Sequence, residues 1–137
     1  DDLAIEAYRR ALAQALPDAL RRTALARLGG LLKRRGEHAA AAMVWQEWIT
    51  SLADDDVTPF LELAKHYEWR AREIATALMW ARWARQIVEK WPEGAARTAT
   101  LAGLDHRLAR LLRKLTTDAS GDANHPPYED TQGAEEP

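Results

Sequence analysis

Gly36-Glu37-His38, followed at helical spacing by Ala41, Trp45 and Trp48, constrains this chain more than any other feature. Upstream, Leu25, Leu28, Gly29 and Leu32 recur at the three- and four-residue steps that line one face of an α-helix. The segment must run as a helix, a tight turn and a second helix. Gly36 suits a left-handed C-cap, and Lys33, Arg34 and Arg35 complement the negative end of the helix dipole. Ala41 is small enough to let the two backbones approach.

The same reading extends along the chain. A first helix is expected from about Leu3 to Leu16, with Leu3, Ala4, Ala7, Tyr8, Ala11, Leu12 and Ala15 on one face. Pro17 breaks it, because proline lacks an amide donor and clashes one turn back. A second helix, from about Asp18 to Arg35, is expected to bury Leu20, Ala24, Leu28 and Leu31 or Leu32. The third runs from about His38 to Ala53. Thr58-Pro59 starts a fourth that reaches Trp69 or Arg70. A fifth spans about Ile74 to Lys90, before Pro92. A sixth, about Ala96 to Leu115, carries Leu101, Leu104, Leu108, Leu111, Leu112 and Leu115. No segment alternates apolar and polar residues for long, so strands are not expected.

Composition narrows the possible functions. The 137 residues are enough for one domain and include no cysteine, which excludes disulfides and thiolate metal sites. No apolar run approaches membrane-spanning length, no N-terminal leader pattern is visible, and a cytoplasmic location is expected. The net charge of −2 hides an asymmetry: residues 117–137 hold six acids and no Lys or Arg. That leaves 15 acids against 19 bases before Thr117, a formal +4. Residues 1–116 are expected to be a mildly basic helical domain and 117–137 a disordered acidic tail. Such a tail could shield a basic surface from wrong partners.

Two internal units can be set on each other. Leu28-Gly29, Leu32, Gly36, Ala41, Trp45 and Trp48 correspond to Leu63-Ala64, Tyr67, Arg72, Ala77, Ala81 and Ala84. Ala41 and Ala77 lie 36 residues apart. In the second unit the turn is one residue longer, and Arg72 replaces the glycine. The pattern resembles a tetratricopeptide repeat (TPR), which stacks helix pairs and presents a surface to a partner. Ala4, Tyr8, Ala11 and Leu12 resemble the second helix of a preceding repeat. The expected fold is all-α: a right-handed TPR-like stack of antiparallel helix pairs, about six helices in all.

A narrower resemblance rests on Leu63-Ala64-Lys65-His66-Tyr67-Glu68-Trp69-Arg70 followed by Ala77-Leu78, and on His106-Arg107-Leu108-Ala109-Arg110-Leu111-Leu112-Arg113-Lys114-Leu115. These tracts resemble the C-terminal TPR domain of bacterial proteins that carry an N-terminal ribonuclease-H-like domain predicted to be an exonuclease. Trp69 stands where that family usually has histidine. The resemblance implies an accessory domain. The nuclease's clustered carboxylates have no counterpart here, so its activity does not carry over.

Candidate contact residues follow from the repeat. The groove lined by the first helix of each pair places Arg27, Arg34, Glu62, Lys65, His66 and Trp69 as partner contacts. Trp80 and Trp83 flank the Ala77-Ala81-Ala84 face, where they either pack or serve as exposed anchors. Arg107, Arg110 and Lys114 share one helix face and could track phosphates. Against these stand plainer readings: core packing for the tryptophans and a solvated, ion-paired face for the arginines. The four histidines lack metal-ligand spacing, and no phosphate loop or nucleophile elbow appears. The sole asparagine is Asn124, which disfavours capture of a terminal carboxylate by helix asparagines. The expectation is a non-catalytic protein-interaction module without cofactor. Accessory nucleic-acid contact and structural self-association are the alternatives.

Overall fold

The computed structural model describes residues 2–119, with side chains through Thr117. The rest of the expected disordered tail lies outside the described residues. Among these the structure is all-helical: α1 (Asp2–Leu12), α2 (Asp18–Arg34), α3 (His38–Ser51), α4 (Thr58–Lys65), a π-turn (His66–Arg70), α5 (Ile74–Glu89) and α6 (Ala95–Ala119). Helix α6 therefore runs past the expected boundary at residue 116. The described residues fall into two compact units, one through Asp54 and one from Asp55 onward.

In the first unit, α1 packs on α2 and α2 on α3. Helix α1 ends at Leu12, earlier than expected. Its end is held by Arg21, whose Nη2 donates to the carbonyls of Leu12 (3.4 Å) and Gln14 (3.3 Å). Ile5, which lay off the expected face, is the buried residue of α1, while Leu3 is exposed. Leu20, expected in the core, is also exposed; the buried face of α2 begins at Ala24 and continues through Leu25, Leu28, Gly29 and Leu32.

Trp45 of α3 lies directly over Gly29. A Cβ built on Gly29 would sit 2.6 Å from the Trp45 ring carbons Cζ2 and Cζ3. The glycine is thus required by a neighbour, not by its own dihedral. Trp48 packs beside Trp45 with ring centroids 6.2 Å apart. Asp54 Oδ2 accepts from Arg22 Nε at 2.7 Å and Trp48 Nε1 at 3.4 Å, joining the chain after α3 to α2. Gly36 has φ of +81° and meets no neighbour. Gly36→Ala is therefore expected to cost ~1 kcal/mol, from the left-handed backbone alone. Urea denaturation checks this value.

In the second unit, α4 packs on α5 and α5 on α6. The start of α4 is fixed by Asp56 Oδ1, which accepts the Thr58 amide at 2.9 Å, and by Trp91 Nε1, which donates to the Asp55 carbonyl at 3.0 Å. The extra residue of this unit is absorbed in the π-turn. Gly36 lies eight residues after Leu28, whereas Arg72 lies nine after Leu63. The Ala71 amide reaches back five residues to the His66 carbonyl, and Glu73 reaches six to Tyr67. One residue is thus inserted without shifting the buried face. Arg72 then takes the left-handed conformation of Gly36, with φ of +59°.

The two units fill equivalent space differently. Gly29 under Trp45 in the first unit corresponds to Ala64 under Ala81 in the second. With no indole there, Ala64, Ala77 and Ala81 form a shallow bed for Leu111 of α6, all fully buried.

Candidate functional site

Burying a carboxylate is costly unless it is paired and fully hydrogen-bonded. Glu68, in the π-turn, is 0% exposed, and three cations from α6 converge on it. Arg110 binds it in bidentate fashion, Nε to Oε2 at 2.8 Å and Nη2 to Oε1 at 2.9 Å. Arg107 Nη1 donates to Oε1 at 3.1 Å and Lys114 Nζ to Oε2 at 2.8 Å. The three cations lie at steps of three and four residues, so one face of α6 presents them all. Trp69, 6% exposed, lies beneath the same cations. Lys114 Nζ sits 3.8 Å from its ring centroid, and the Arg110 guanidinium carbon 5.6 Å away.

Burial is the largest single influence on the Glu68 carboxyl and pushes its pKa up. The hydrogen bonds and charges of Arg110 and Lys114 together outweigh it, so the group is held below the ordinary carboxylate range. Three cations surround one carboxylate, so the cluster keeps a formal charge of +2. Elsewhere on α6, Asp105 accepts from Arg85 Nε of α5 at 2.6 Å, and this bond lowers its pKa.

A groove of about 280 Å³ opens beside this cluster, between α4 and α6. Leu61 and Leu104 supply its apolar surface, Thr100 a hydroxyl, and Lys65 and Arg107 its charged edge. Gly103 also lines it, and a side chain added there would meet open space. Both charged lining residues are cations. Lys65 Nζ lies 3.6 Å from Glu62 Oε2.

The expected contact residues are thus only partly brought together. Glu62 and Lys65 lie on α4, His66 packs edge-on against Tyr67 at 5.0 Å, and Trp69 is buried under Lys114 instead of facing a groove. Arg27 and Arg34 are exposed on α2, in the other unit. Arg107, Arg110 and Lys114, the candidate phosphate contacts, are turned onto Glu68. Trp80 and Trp83 stack at 5.6 Å, and both meet Phe60 of α4. Trp80 packs against the second unit's core, while Trp83 remains 46% exposed. Glu68, Thr100, Gly103 and Leu104 were not singled out from sequence as site residues. The signal for Glu68 is an acid inside the otherwise packed run Leu63-Ala64-Tyr67-Trp69.

Among the described residues, no group of three or more His, Asp or Glu side chains is placed to hold a metal ion. Nor is any helix among them long and apolar enough to cross a membrane. No family model, curated protein or solved structure matches this chain.

Proposed function

We propose that this chain is a non-catalytic helical-repeat module that binds an extended, acidic segment of a protein partner in the α4–α6 groove. One observation carries the reading: an apolar floor of Leu61 and Leu104 is edged only by the cations Lys65 and Arg107. Such a site suits an aliphatic or aromatic side chain flanked by carboxylates. The resemblance to TPR domains, and to those accompanying ribonuclease-H-like nucleases, supports an accessory role in the bacterial cytoplasm. The two tracts that carry it meet in space, since Glu68 comes from the first and Arg107, Arg110 and Lys114 from the second.

The nucleic-acid reading needs all three cations of α6 to follow phosphates, whereas Arg110 holds Glu68 in bidentate fashion and Lys114 lies between Glu68 and the Trp69 ring. Self-association has one observation in its favour: Met79 and Trp83 are exposed side by side along a shallow depression on α5.

The groove reading is tested by panning a random peptide library on the full chain and on Gly103→Glu. Glutamate at this position projects into the groove, repels acids and favours the helix more than glycine does. Selected peptides are expected to be rich in Asp and Glu around an apolar residue and to lose at least ~10-fold in affinity on Gly103→Glu, as expected for a blocked contact. No acidic enrichment, or binding indifferent to Gly103→Glu, would refute the reading.

A further inference from the structure

We infer that a second copy of this chain covers the outer face of α5, as an antiparallel α5–α5 pair in a two-fold symmetric dimer. This face shares no lining residue with the α4–α6 groove, so the inference stands apart from partner binding there.

Spacing supplies the seam. Ala77, Ala81, Ala84 and Val88 are fully buried and turn one side of α5 into the second unit. On the other side, Thr76, Met79, Trp83, Gln86 and Lys90 recur at steps of three and four residues, the repeat of helices that pair along one stripe. Lys90 caps α5 with helical dihedrals (φ −88°, ψ −5°), so it continues the stripe. Met79 is 45% and Trp83 46% exposed. With Ala75, Arg82 and Gln86 they bound a depression of about 260 Å³. A thioether packs favourably against an indole edge. Trp83 is already ordered by its stack on Trp80 and its contact with Phe60, so it loses little side-chain freedom on docking.

Symmetry selects the occupant. In a two-fold pair the same patch serves both copies, and each residue meets its counterpart across one centre. Setting Met79 against Trp83 of the second copy puts that centre at position 81. The same centre sets Thr76 against Gln86. It also brings Lys90 beside Glu73, with an offset of only ~1 Å along the axis. Glu73 Oε1 accepts from Thr76 Oγ1 at 3.5 Å, which keeps the carboxylate on the side of the stripe. The face is thus acidic at one end, apolar in the middle and basic at the other end. An antiparallel copy of the same face complements that order, whereas a parallel copy would oppose like charges. Arg82 borders the stripe near the centre and comes close to its own counterpart. That repulsion, together with a one-helix contact smaller than the ~1,600 Å² of a standard interface, makes the dimer weak and reversible.

Sedimentation equilibrium of the 137-residue chain tests the pairing. A monomer–dimer equilibrium is expected, and Met79→Lys, at an exposed position, is expected to abolish it. Lys90→Glu and Glu73→Lys each place like charges at both ends of the pair, and each is expected to raise the dimer Kd about 10-fold. The chain carrying both substitutions exchanges the charges and is expected to recover the parent Kd to within about 3-fold. A folding defect would not be reversed by adding the second substitution. A chain that stays monomeric to about 1 mM would overturn the inference. A dimer that Met79→Lys leaves intact would do the same, as would single charge variants that the double variant fails to rescue. Assembly beyond a dimer would also overturn it, because it marks a contact that does not close on itself.

Discussion

Glu68→Ala is expected to destabilise the protein by ~3–5 kcal/mol, the usual cost of removing one partner from a buried ion pair. The substitution leaves Arg107, Arg110 and Lys114 facing one another around an apolar void, with Trp69 beneath them. Lys114→Met is expected to cost less, because Glu68 keeps its bidentate bond to Arg110 and its bond to Arg107. Urea denaturation at neutral pH measures both. The pH dependence has a definite sign. Because the Glu68 carboxyl is held below its ordinary range when folded, its contribution is present above the unfolded value, about pH 4.3, and is lost as pH falls through the folded value. Glu68→Ala is expected to remove that part of the acid sensitivity. Equal stability of Glu68→Ala and the parent would show that the network contributes nothing.

Gly29→Ala is the second large effect. The added methyl would overlap the Trp45 indole, and overpacking of a tight core costs ~1–3 kcal/mol. The sign is expected to depend on Trp45. In a Trp45→Leu background the ring is gone, so alanine's better helix propensity is expected to make Gly29→Ala neutral or stabilising by up to ~1 kcal/mol. A four-member denaturation cycle checks this reversal. Additive effects would mean that Gly29 and Trp45 do not share the space.

Local rules made much of the fold legible. Pro17, Gly36, Pro59 and Pro92 punctuate the helices because each forbids or favours a defined backbone state. The extra residue between Leu63 and Arg72 was countable, but not its form. Whether an insertion makes a longer turn or a π-turn depends on which face must stay buried. Leu3 and Leu20 misled for a related reason: helical spacing groups residues on a face without saying how wide the buried stripe is.

The site was less legible. Arg107, Arg110 and Lys114 were correctly placed on one face. Whether that face meets solvent or protein depends on Glu68, about forty residues earlier. No local pattern encodes that pairing. Trp69 reads as a groove contact because it lies on the first helix of its pair, yet its indole serves as the bed for Lys114. The groove has no local signature, because Thr100 and Gly103 gain significance only when α6 lies beside α4.

The most direct test of the central claim is a fluorescence-anisotropy comparison at low salt, using the 137-residue chain and its Gly103→Glu variant. The two probes are a labelled aspartate-rich peptide with one central leucine and a labelled single-stranded oligonucleotide. The groove account predicts saturable, salt-sensitive peptide binding that Gly103→Glu abolishes, with weaker binding of the oligonucleotide. Tighter binding of the oligonucleotide, or peptide binding that Gly103→Glu does not change, would contradict it.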